Sequence, residues 1–183
     1  MRIRGHAFKS FATALAKLEG DRAIDSMLAR LPAAVAEAWR ADRIASAAWY
    51  PVEWYVAVHR ALDAATHKGI PLAYAIGRET ARVDFGGALR FFSLTLAPHA
   101  IATRAPAAWA LFYDAGQITV SGARQGHVVV EIEGCAGFDG RVWADITGAS
   151  VGILEAAGAA DVVARTLAGG GIAGHLRIEL SWK

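Results

Sequence analysis

The stretch from Ile118 to Gly158, ITVSGARQGHVVVEIEGCAGFDGRVWADITGASVGILEAAG, changes its hydrophobic period partway along, and that change decides the fold. Ile118, Val120, Val128, Val130 and Ile132 alternate with polar partners, the period of half-buried strands, and predict a hairpin turning at residues 123–126. From about Phe138 to Ala157 the period lengthens. Trp143, Ile146, Ser150, Ile153 and Ala157 fall at heptad spacing, which predicts a long helix stopped by Gly158. Two further strands, about Asp161 to Leu167 and Leu176 to Trp182, flank a glycine run and form a second hairpin.

The chain before this stretch reads as helices. Phe8, Phe11, Leu15 and Leu18 mark an opening amphipathic helix that Gly20 stops. Helices are predicted at Asp21 to Leu31, Pro32 to Ala41 and Pro51 to His67, the last with Val52, Tyr55, Val56, His59 and Leu62 in one stripe. Trp49 and Tyr50 precede a proline and favour extended backbone. Further helices follow from Pro71, with Leu72, Ile76 and Val83 inward, then around Leu89, Phe92 and Leu96, and from Pro106 to Tyr113. The expectation is an α+β fold in one domain, 1–183. Amino-terminal helices (about 1–114) pack on an antiparallel sheet, with a long helix inserted between its two hairpins (about 115–183).

Composition limits the function classes. The 183 residues are 55% hydrophobic and 20% charged, which excludes a disordered chain. A net charge of +2 is far too weak for a dedicated nucleic-acid binder. The longest uncharged stretch is too short for a membrane span. Cys135 is the only cysteine, so no internal disulfide and no paired-cysteine zinc site can form, and a cytoplasmic location follows as the default.

Three motif matches need structural context. Gly169, Gly171 and Gly174 fit the phosphate-cradling G-x-G-x-x-G, but alternating residues follow where the motif needs a helix. Gly148, Ser150 and Gly152 fit the G-x-S-x-G of serine hydrolases, with Asp161 and His175 in suitable order, yet repeated strand–helix–strand units are missing. Read as helix, Gly148, Ala149, Ser150 and Gly152 are a small-residue patch suited to close packing. His59 and His67 lie too far apart for one ion, and His59 reads more readily as a hydrogen-bonded core histidine. Glu131 and Glu133 read as a solvated sheet face.

Aromatic residues are the more informative pattern. Trp54, Tyr55, Tyr74, Phe92, Trp109 and Trp143, with His59, sit in segments expected to converge and are the candidate ligand-binding residues. No catalytic or metal-ligating set emerges.

The layout resembles the superfamily that unites 4-vinyl reductase domains, haem/nitric-oxide-associated sensor domains and TRAPP trafficking subunits, and looks nearest to a myxobacterial paralogous family of unknown function. The resemblance is carried by Trp49-Tyr50-Pro51, Ile76-Gly77-Arg78, the run Gly148 to Gly158, Asp161-Val162-Val163, Gly169 to Gly171 and Ser181-Trp182. It implies the same α+β fold, often dimerised, with an apolar cavity for small aromatic molecules, tetrapyrroles or acyl chains, or a role as an interaction platform. The cysteines of the zinc-bearing type and the Y-x-S-x-R of the haem type are absent here, so no cofactor is implied. The expected function is a non-enzymatic small-molecule-binding or signalling module with an aromatic-lined pocket. The alternative is a scaffolding subunit with a filled core, and a serine hydrolase stands third. A homodimer is expected through the Phe8, Phe11, Leu15 and Leu18 face or the helix near Ser150.

Overall fold

The computed structural model describes residues 1–86 and 97–183. The helix expected around Leu89, Phe92 and Leu96 lies outside the described residues. In chain order the elements are β1 (Arg2–Arg4), α1 (Gly5–Glu19), α2 (Asp21–Leu28), α3 (Ala33–Arg40), β2 (Trp49–Pro51), α4 (Val52–Thr66), α5 (Gly69–Gly86), α6 (Pro98–Ala102), α7 (Ala105–Phe112), β3 (Gln117–Arg124), β4 (His127–Glu133), α8 (Gly140–Ala156), β5 (Val163–Gly169) and β6 (Leu176–Ser181). This is the α+β arrangement the periodicity predicts, with α8 between two hairpins.

The four long strands form one antiparallel sheet in the order β3-β4-β6-β5. Its central register sets Val128 opposite Leu180, Val130 opposite Ile178 and Ile132 opposite Leu176. All six side chains are buried, so one face of the central pair is core. On the other face Glu179 pairs with Arg165 and lies within hydrogen-bond distance of His127.

A short second pairing was not predicted. β1 and β2 pair antiparallel, Ile3 opposite Tyr50, and Ile3 also bridges to Tyr113. Arg2 donates to the Asp114 carboxylate through its backbone N–H and its side chain, both at 2.6 Å, and holds that carboxyl below its usual range. The first residues thus tie the end of α7 to the start of α4.

The helices pack as their sequences dictate. Phe8, Phe11 and Leu15 are fully buried on α1, and Leu18, at its end, is exposed. The dimer face expected from these residues is therefore mostly used inside the chain. The same holds for the helix near Ser150. A Cβ on Gly77 would lie 1.8 Å from the Asp145 carbonyl oxygen, on Gly148 2.0 Å from that of Tyr74, and on Gly152 2.5 Å from that of Arg78. Backbones of α5 and α8 touch at these three glycines, along about two turns, with only hydrogens between them, the close approach the small-residue patch predicts. Arg78 and Arg82 clamp the pair from outside, both donating to Glu155.

Two motif readings end here. Ser150 is in mid-α8 and donates to the Ile146 carbonyl oxygen at 2.9 Å, so it occupies a helical turn and not a hydrolase elbow. The residues after Gly174 form strand β6, so the glycine run opens no helix.

Candidate functional site

The interior facing α1, α4 and α8 holds a polar centre in an apolar core. Tyr55 and His59 lie one turn apart on α4, and both are buried because they share the stripe that faces α1. Phe11 stands edge-to-face with both rings, at 5.9 Å from Tyr55 and 5.1 Å from His59, and Phe8 stands 5.4 Å from Tyr55. Into this aromatic box α8 projects Asp145, which is 6% exposed.

The Tyr55 hydroxyl donates to Asp145 Oδ2 at 3.0 Å. His59 Nε2 lies 3.8 Å from the same oxygen, beyond hydrogen-bond reach. Both ring nitrogens of His59 and Oδ1 of Asp145 are buried without a partner. His59 is thus a core histidine, as expected, but not a hydrogen-bonded one. Burial and then the Asp145 charge push the Tyr55 hydroxyl well above its usual range, and the same two causes act on Tyr113. Both phenols therefore stay protonated donors at neutral pH.

Tyr113 connects this centre to a second aromatic group. It stacks on Trp109 at 4.0 Å and meets Phe138 at 5.7 Å, and Phe138 meets Trp143 edge-to-face at 4.9 Å. The indoles are satisfied, Trp109 donating to the Ala115 carbonyl and Trp143 to that of Ala173. Trp109 and Tyr113 also line an open hollow of about 340 Å³ beside Gly116 and Ile118. A second hollow, of about 210 Å³, is lined by Phe8, Lys9, Ala12, Trp39, Asp42 and Ile44.

The candidate residues thus sort into separate places. Tyr55 and His59 meet at Asp145, and Trp109 and Trp143 belong to the neighbouring group. Trp54 pairs with Tyr50 at 5.5 Å. Tyr74 sits on α5, where burial raises its hydroxyl and the charges of Arg78 and Glu155 act on it. Phe92 lies outside the described residues. Asp145 was missed by sequence reasoning. Its one available signal is its place in the α8 pattern, where an acid lies between the apolar Trp143 and Ile146.

No protein-family model matches the chain, and no curated protein does. Solved structures do. An oxygen-binding H-NOX domain related to soluble guanylate cyclases, in its oxygen complex, superposes with a TM-score of 0.74 over 98% of this chain and 95% of that one, at 13% identity. The chain has the H-NOX fold. The Fe(II) unliganded H-NOX protein from K. algicida gives a TM-score of 0.72 over 98% and 96% at 10% identity. A structure concerned with haem redox potential and porphyrin distortion gives 0.72 over 98% and 99% at 13% identity.

The H-NOX fold raises the question of haem, and the described side chains answer it. His99, on α6, keeps a buried Nδ1 without a partner and so offers one donor. The imidazole of His59 is closed in by Phe11 and Tyr55 and faces a carboxylate. The Cys135 thiol, pushed up to about 11 by burial, is not a thiolate in the free protein at neutral pH. The rings of Trp109, Tyr113 and Phe138 lie against one another at 4.0 to 6.5 Å and leave no gap between them for a flat ligand. A donor is present, yet neither hollow among the described residues is lined by His99, and on this ground the described residues do not fit the group.

Proposed function

We propose that this chain is a non-enzymatic, small-molecule-binding signalling module on the H-NOX fold, working without haem. The observation that carries the reading is the buried cluster of Tyr55, His59 and Asp145, whose three unpartnered polar atoms are walled by aromatic rings. An unsatisfied buried polar atom costs about 1–3 kcal/mol, so three together call for a partner that satisfies them. Of the seven candidate residues, the proposal assigns Tyr55 and His59 to the site, with Trp109 and Trp143 supporting its second wall through Tyr113. The proposal extends to a single domain over 1–183 in the cytoplasm, in keeping with one reduced thiol.

Native mass spectrometry of the purified protein, with its absorption spectrum, tests this. The expected result is a non-covalent adduct of small mass, lost in Asp145→Asn, and no Soret band after incubation with haemin. Absence of any adduct, together with no stabilisation by any member of a fragment library, would overturn it. A second reading, an interaction subunit with a filled core, is favoured by the interlocked rings of Trp109, Tyr113, Phe138 and Trp143.

A further inference from the structure

We infer that the surface hollow between α1 and the end of α3 binds a free α-amino acid whose apolar side chain is about the size of one ring. The site is separate from the Asp145 cluster and does not depend on it.

The chemistry of the ligand follows from the lining. Phe8 and Ile44 are buried, Trp39 is half-buried, and Phe8 meets Trp39 edge-to-face at 6.0 Å, so the base of the hollow is apolar. Its volume is about 210 Å³. A cavity of about 150 Å³ suffices for benzene, so the space takes one ring or a branched aliphatic chain. The rim is polar and carries both signs of charge. Lys9 and Asp42 also line the hollow, their side chains are 45% and 88% exposed, and they pair at 3.1 Å. That pair engages one carboxylate oxygen, Oδ1, and one of the three N–H groups of the ammonium. A ligand with a single charge is attracted by one partner and repelled by the other. The ammonium and carboxylate of an α-amino acid hang from one carbon, about 3 Å apart, and can face Asp42 and Lys9 together while the side chain enters the hollow.

Asp42 stands at this rim against local preference. The Asp42 N–H donates to the Trp39 carbonyl and the Arg43 N–H to that of Ala38, the two bonds of a Schellman motif closing α3. The residue between them takes the left-handed conformation, with φ of 50°, where glycine is the usual and least costly choice. An acid there also sets negative charge at the negative end of the helix dipole. The pair with Lys9 lies at the surface, and such pairs contribute little to stability. A residue unfavourable on two counts, for which the fold gains little in return, marks a position kept for binding.

Three probes with the same ring and chain decide the matter: L-phenylalanine, 2-phenylethylammonium, which lacks its carboxylate, and 3-phenylpropanoate, which lacks its ammonium. Each is titrated into the protein by calorimetry at pH 7 and low salt. L-Phenylalanine is expected to bind at least about tenfold more tightly than either single-charge probe. Asp42→Asn should lower its affinity to that of 3-phenylpropanoate, Lys9→Met to that of 2-phenylethylammonium, and Glu131→Gln on the sheet should leave it unchanged. Asp42→Gly carries a second readout: it should abolish the preference for L-phenylalanine while raising the thermal midpoint, because glycine suits the left-handed position. No binding of L-phenylalanine at millimolar concentration, equal binding of the three probes, or an unchanged preference in Asp42→Asn overturns the inference. A lower midpoint for Asp42→Gly overturns it as well, since the acid would then serve the fold. Binding of L-phenylalanine that is lost in Asp145→Asn and kept in Asp42→Asn would sink this site and leave the Asp145 reading standing.

Discussion

The backbone carbonyl of Asp145 occupies the space in which a side chain at residue 77 would begin, so Gly77 cannot be replaced without parting α5 from α8. The same residue presents its carboxyl to Tyr55 and its carbonyl to α5, and the polar centre and the tightest helix contact share one turn of α8.

Gly77→Ala is expected to destabilise by about 3 kcal/mol or to prevent folding, since the methyl group meets immovable backbone. Gly174→Ala, where the nearest heavy atom would lie at 3.7 Å, should cost far less. Urea denaturation of the two variants compares them, and equal midpoints would contradict the contact.

Stability should fall in acid partly through Glu155. The Arg78 guanidinium, opposed by burial and helped by Arg82, holds the Glu155 carboxyl below its usual range. A depressed carboxyl contributes stability that is complete above its unfolded value, about 4.3, and is lost as pH falls through the folded value. Wild type should therefore exceed Glu155→Gln by about 1 kcal/mol at pH 6, with the gap closing below about pH 4. Parallel melting curves from pH 3 to pH 7 would show that the clamp contributes nothing.

Cys135 should resist thiol reagents in the folded protein. Its side chain is fully buried, and burial pushes the thiol up to about 11. At pH 8 the thiolate is on the order of a thousandth of the population. A disulfide reagent should report one thiol only on adding denaturant, and rapid reaction of the native protein would refute the assignment.

Ser150→Ala should change stability by less than about 0.5 kcal/mol, because the lost hydrogen bond merely doubles one within the helix. A fluorophosphonate should leave the protein unlabelled. Labelling at Ser150 would restore the hydrolase.

Much of the architecture was legible because period is a local property. The alternation of Val128, Val130 and Ile132 and the spacing of Trp143 and Ile146 each report the face that a single element buries. The small residues at 148 and 152 likewise announced a close neighbour. What escaped were relations between distant segments. Three-residue strands such as β1 and β2 are too short to show a period, and Arg2 gives no sign of Asp114. Asp145 escaped for a related reason: an acid in a helix reads as solvent-facing until the helix on the other side is known. The aromatic residues were read as one cluster because sequence shows which rings are buried and not which meet.

The pairing of Ile3 with Tyr113 and of Arg2 with Asp114 also orders events in time. Residues 112 positions apart must meet before β1 is satisfied, which is slow relative to the local closure of the β3-β4 and β5-β6 hairpins. During synthesis the first strand leaves the ribosome with no partner, and its last contact waits until the whole helical half has emerged. β1 thus waits for a partner made more than a hundred residues after it, the longest span closed by any side-chain hydrogen bond among the described residues.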